Sequence, residues 1–258
     1  MKKTKKPERT PDYNIKRSQN AITLIEQYFP LINVKNLSDR SFVTRIHRLL
    51  PYRLIRTAKP SLDFVKQNDW IPAALLARSC AETTSIIFAF NKKVKELSLS
   101  KDKKNFEIFC VKTLFASKVF VHKTDEFRAP NILTYIQKMD EEINDYYTLY
   151  KILSEYCHPN ILGWLTYSDE VFKDAKSGKG TLMKKNSIET ARSSITIMLR
   201  ISLLNAIKYS IETERILELY YPKDIIKTQS SRIKRNPTII DAQTIYKDFL
   251  LHNLYLLL

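Results

Sequence analysis

The sequence predicts an all-α protein, a single helical bundle with long central helices. Three observations carry that prediction. The 258 residues include just three glycines, Gly163, Gly178 and Gly180, whereas tight hairpins and phosphate-cradling loops both draw on residues that reach positive φ. No stretch alternates apolar and polar residues with the period of two expected of a half-buried strand. Apolar residues instead recur at helical spacing, as in Phe106, Phe109, Cys110, Thr113, Leu114 and Val121.

Taken in order, residues 1–17 read as a disordered basic arm, polar and broken by Pro7 and Pro11. A helical bundle domain over 18–226 follows. It opens with short helical pieces at 18–29, 38–50, 52–58 and 61–69, parted by Pro30, Pro51 and Pro60. A long helix over 72–97 has Pro72 in the first turn, where a missing N–H costs nothing. Another is expected over 102–122. After Pro130 a short helix turns Ile132, Ile136 and Met139 inward, and Asn144 or Asp145 caps a helix ending at His158. Residues 173–186 read as a surface loop, and the capping-box spacing of Ser187 and its neighbours opens the longest helix, to about Tyr221. Residues 227–258 form a linker and a terminal helix that packs on the core or on a dimer partner, because FLLHNLYLLL is apolar on nearly every face.

The net charge of +16 favours phosphate-bearing partners, although a Lys-rich, Ile- and Asn-rich chain also suits an AT-rich coding sequence. Basic residues cluster in the arm and again at Arg40, Arg45, Arg48, Arg53, Arg56 and Lys59. The three cysteines, Cys80, Cys110 and Cys157, lack metal or disulfide spacing and read as reduced thiols, which points to a cytoplasmic chain. No residue pattern implies a cofactor or a metal. The run at 71–91 approaches membrane-span length, but Arg78 and Glu82 at its centre would be costly in lipid, so it reads as a buried helix rather than a membrane contact.

Two polar stripes stand out on apolar helices. Arg78, Glu82 and Ser85 share one face of the 72–97 helix; Tyr147, Tyr150, Ser154 and His158 share one face of the helix that ends at Pro159. Each stripe supplies what the other lacks, so the two helices are expected to face each other. A protonatable imidazole beside a guanidinium makes a pair suited to a phosphate oxygen and to proton donation. Networks of this composition also serve simply to set helix register.

These stretches carry a resemblance. ALLARSCAETTSIIF at 74–88, APNILTYIQKMDEEI at 129–143 and YYTLYKILSEYCHPNILGW at 146–164 resemble a group of bacterial helical proteins in the HEPN-like class (higher eukaryotes and prokaryotes nucleotide-binding). The shared pattern is Arg-Ser-x-x-Glu on one helix, then Tyr-x-x-Leu-Ser-x-x-x-His-Pro-Asn on a later one. The resemblance implies an α-helical bundle, often dimeric, in a class rich in RNA-cutting toxins and phage-defence proteins. Its active ribonucleases use an Arg, four to six further residues and a His, without metal. Arg40 and His47 stand at that spacing but outside the resembling stretch, and no Arg precedes His158 in this way. The expected catalytic set is therefore His158 with Arg78, oriented by Glu82 and Ser154. Tyr150, Arg45, Arg48, Arg53 and Arg56 are expected to contact nucleic acid. The competing expectation is a non-enzymatic module that binds nucleic acid through its basic residues or another protein through its terminal helix.

Overall fold

The computed structural model describes residues 10–29, 42–115, 131–158 and 179–220. Among these the protein is all-α, with no strand. Its helices are α1 (Pro11–Tyr28), α2 (Phe42–Lys66), α3 (Trp70–Ser100), α4 (Lys103–Phe115), α5 (Ile132–Asp140), α6 (Tyr146–Cys157) and α7 (Lys179–Tyr220). The expected linker and terminal helix lie outside the described residues, as do Arg40 and the side chain of Arg45.

α3 is the axis of the bundle, with α2, α5, α6 and α7 packed around it. Its alanines, Ala73, Ala74, Ala77 and Ala81, let neighbouring helices approach closely, and buried Ile87, Phe88 and Phe90 extend the contact. α3 is long and apolar enough by composition to cross a bilayer, yet most of that apolar window is buried inside the protein. Its buried polar side chains bond locally or to α7, apart from Asn91 Oδ1, which has no partner among the described residues. Thr83 and Ser85 bond back to the carbonyls of Ser79 and Ala81 at 2.9 Å each. Thr84 reaches the Ser202 carbonyl at 3.3 Å, and Asn91 donates to Tyr209 O at 3.3 Å and Thr213 Oγ1 at 3.1 Å. A second apolar cluster at the far end joins Val43 and Ile46 of α2, Phe90, Val94 and Leu97 of α3, Phe106 and Cys110 of α4, and Leu217 of α7.

Several expected boundaries are corrected. α1 begins at Pro11, capped by Thr10, whose hydroxyl accepts the Tyr13 N–H at 3.3 Å. Residues 11–17 thus belong to a helix, not to a disordered arm, and Asn14 is buried. The pieces expected at 42–66 form one helix with Pro51 and Pro60 inside it. An interior proline costs about 3 kcal/mol. Leu54, Ile55, Leu62 and Val65 are all buried on this helix, and at about 1.5–3 kcal/mol each their burial outweighs the two breaks. The longest helix starts at Lys179, not at the capping box, and Ser187 lies buried within it while its carbonyl accepts the Tyr156 hydroxyl at 3.1 Å.

Candidate functional site

α3 and α6 do face each other, and their polar stripes meet. Tyr146 begins the seam: fully buried, it donates its hydroxyl to the Ala81 carbonyl at 3.0 Å, which ties α6 to α3. α6 starts at one of the two expected cap residues, Asp145, which takes the cap position in a left-handed conformation (φ 67°) but without a side-chain bond. Asp140 instead accepts the Tyr147 N–H through Oδ1 at 2.8 Å, so the residue ending α5 satisfies an orphan donor of α6.

One turn along, Tyr150 is the hub. Arg78 Nε donates to Tyr150 Oη at 3.0 Å, and that hydroxyl donates to Glu82 Oε1 at 2.8 Å. Arg78 Nε also lies 3.3 Å from Glu82 Oε1, and the guanidinium carbon sits 5.1 Å from the centroid of the Tyr150 ring. The Arg78 and Glu82 side chains are 32% and 26% exposed, so this cluster borders solvent rather than being sealed. Partial burial works against the charged guanidinium. The hydrogen bond to Tyr150, with the charges of Tyr150, Glu82 and Cys157, outweighs it and holds the group above its ordinary range. Cys157, at the end of α6, is thus within electrostatic reach of Arg78. Burial raises the Cys157 thiol, Arg78 opposes the rise and Glu82 adds to it.

The arrangement spends Arg78 Nε and leaves the four N–H groups of its terminal nitrogens without a partner among the described residues. Those donors form the planar fork that matches a phosphate. The Arg78–Glu82 pair is neutral as a whole, so it offers directed donors more than a net field. Replacing Tyr150 with Phe keeps the ring and removes both hydroxyl bonds. The expected result is a loss of about 1–2 kcal/mol in denaturant unfolding, and an unchanged stability would show that the hydroxyl is solvated instead.

Ser154 is half-buried and bonds back to the Tyr150 carbonyl at 2.9 Å, so it closes the helix turn rather than touching Arg78. His158 caps the C-terminus of α6 with an extended backbone (φ −86°, ψ 150°), as a residue before proline should be. Its ring is exposed and makes no hydrogen bond to Arg78. The other sequence-predicted residues lie elsewhere. Arg53 and Arg56 are exposed on α2. Arg48 turns inward: Nη1 donates to the Tyr28 carbonyl at 2.9 Å, the guanidinium lies 5.2 Å from the Phe29 ring centroid, and Nη2 pairs with Glu214 of α7. His47, which shares the ribonuclease-like spacing with Arg40, is buried between Phe29 and Phe90, with ring centroids 5.5 and 6.4 Å away. It is sealed from any substrate.

Comparison with protein-family models, curated proteins and solved structures found no match.

Proposed function

We propose that this chain is a HEPN-like helical protein that engages RNA at the α3–α6 seam and cuts it without metal. Arg78 takes a phosphate oxygen, and His158 handles the proton. The observation that carries the reading is the fork of Arg78, held through Nε by Tyr150 and Glu82 on a side chain that borders solvent. Strand scission of this kind needs the ribose 2′-oxygen to attack phosphorus while the 5′-oxygen leaves. A group must accept the 2′-hydroxyl proton, another must supply one to the leaving oxygen, and donors must take the charge that builds on the phosphate. His158 is exposed beside the seam and suits either proton step; Arg78 suits the third task. In this reading the protein acts in the cytoplasm, as a toxin or phage-defence effector, and the terminal run FLLHNLYLLL pairs two copies.

The test is cleavage of RNA in the presence of a chelator. His158→Ala is expected to slow it by about 10²–10⁴-fold, and Arg78→Ala to weaken RNA binding about tenfold or more, with both variants folded by circular dichroism. Cleavage by His158→Ala at the wild-type rate removes the catalytic role. A second reading, binding without cleavage, is favoured by the absence of any bond between His158 and Arg78 and by the exposure of Arg53 and Arg56. It expects affinity that falls steeply with salt and no product at any time.

A further inference from the structure

α6 carries more at this seam than the groups already assigned. On a helical wheel Tyr147, Lys151, Ser154 and His158 fall within a sector of about 60°, and they extend over about 16 Å of the helix. Tyr150 and its partner Arg78 lie along one edge of this strip. Lys151 is exposed and has no carboxylate partner among the described residues. Its ammonium sits 4.8 Å from the centroid of the Tyr147 ring.

That contact says something about Tyr147. The Tyr147 ring is half-buried, and the ammonium of an exposed lysine lies over one face, so that face borders solvent. The ring is also well held. Its side chain packs partly against the main core, and its backbone N–H is tied to Asp140 at 2.8 Å. An aromatic ring packed against the core, with an exposed cation beside it and a guanidinium fork one turn away, is what a single-stranded nucleic acid uses: bases stack on the ring and phosphates meet the cations. Lys151 adds a cation beside the neutral Arg78–Glu82 pair, while the Asp140 carboxylate is bound to the Tyr147 N–H. A duplex offers no such partner, since its bases are already stacked and their faces are closed to the ring.

We infer that the Tyr147–Lys151 pair is a stacking and phosphate subsite for single-stranded RNA, placed beside Arg78. The inference rests on the reading of the seam as an RNA site and gives that site its substrate class. Tyr147 holds one base, Lys151 meets an adjacent phosphate, and Arg78 with His158 meets the strand further along α6.

The experiment measures binding of a short single-stranded RNA and of the matching duplex to the full chain, over a range of salt. The wild type is expected to prefer the single strand. Tyr147→Leu, which keeps the buried bulk, is expected to weaken single-strand binding by about five- to a hundredfold, and Tyr147→Phe to leave it unchanged. Lys151→Ala is expected to reduce the salt slope by about 0.7; this exposed position also keeps the test valid if Tyr147→Leu unfolds. Equal binding of both RNA forms, or wild-type affinity in Tyr147→Leu together with an unchanged slope in Lys151→Ala, overturns the subsite and leaves the Arg78 reading standing if Arg78→Ala still weakens binding. No binding of either RNA form by the wild type, or full affinity in Arg78→Ala, sinks the seam reading and this subsite with it.

Discussion

Replacing Glu214 with alanine is expected to destabilise the protein by about 3–5 kcal/mol, a large part of the roughly 5–15 kcal/mol that holds a domain folded. Glu214 and Arg48 are nearly buried, with side chains 8% and 11% exposed, and they join α7 to α2. Burial pushes the Glu214 carboxyl above its ordinary value, Arg48 pulls it back and Glu218 adds to the rise. Desolvation therefore outweighs the pairing. Such a pair stabilises little relative to apolar groups of the same size, but removing one partner strands the other charge away from water. The double variant Arg48→Met/Glu214→Leu is accordingly expected to recover most of the loss. Urea unfolding of both variants measures this as a shift in midpoint at constant slope. A loss under 1 kcal/mol in Glu214→Ala would mean that water reaches the pair.

Acid is expected to unfold the protein through His47. The ring is fully buried; burial first, then the neighbouring Arg48 charge, lowers its pKa from 6.5 to about 3. Its Nε2 has no partner among the described residues. The groups around it are the rings of Phe29 and Phe90, with Arg48 on the same helix and Glu214 reached through Arg48. The unfolded chain binds a proton below pH 6.5 and the folded one does not until about pH 3. Stability is therefore full above pH 6.5 and falls as pH drops through that value, by about 1.4 kcal/mol per unit. Between pH 6.5 and 5 the loss amounts to about 2 kcal/mol, before carboxylates contribute. His47→Phe is expected to flatten that slope. A wild-type unfolding midpoint independent of pH between 7 and 5 would show that the ring is hydrated.

The sequence made the α3–α6 seam legible because the seam is periodic. Arg78 with Glu82, and Tyr150 with Ser154, stand four residues apart, and that spacing alone puts each pair on one face. The apolar neighbours then require the two faces to find each other. The inward turn of Arg48 is illegible in the sequence for the opposite reason. Its partner Glu214 is 166 residues away in the chain, and no local pattern connects them. His47 likewise looked available by spacing, whereas the rings that enclose it come from α1 and α3. The start of α7 is not legible from the capping box, because that box is a local preference and the helix begins at Lys179, before the box is reached. Tyr147 stands on the stripe that holds His158, and Lys151, four residues further on, is legible from the same spacing.

Pro51 and Pro60 leave α2 with two missing rungs in its backbone ladder, since neither can donate to the carbonyl four residues earlier, at His47 and Arg56. At those two points α2 depends more on what it packs against, chiefly α3, than elsewhere along its length. Whatever lifts α3 away should dissolve α2 with it, so these two helices should lose amide-exchange protection together, as one cooperative unit.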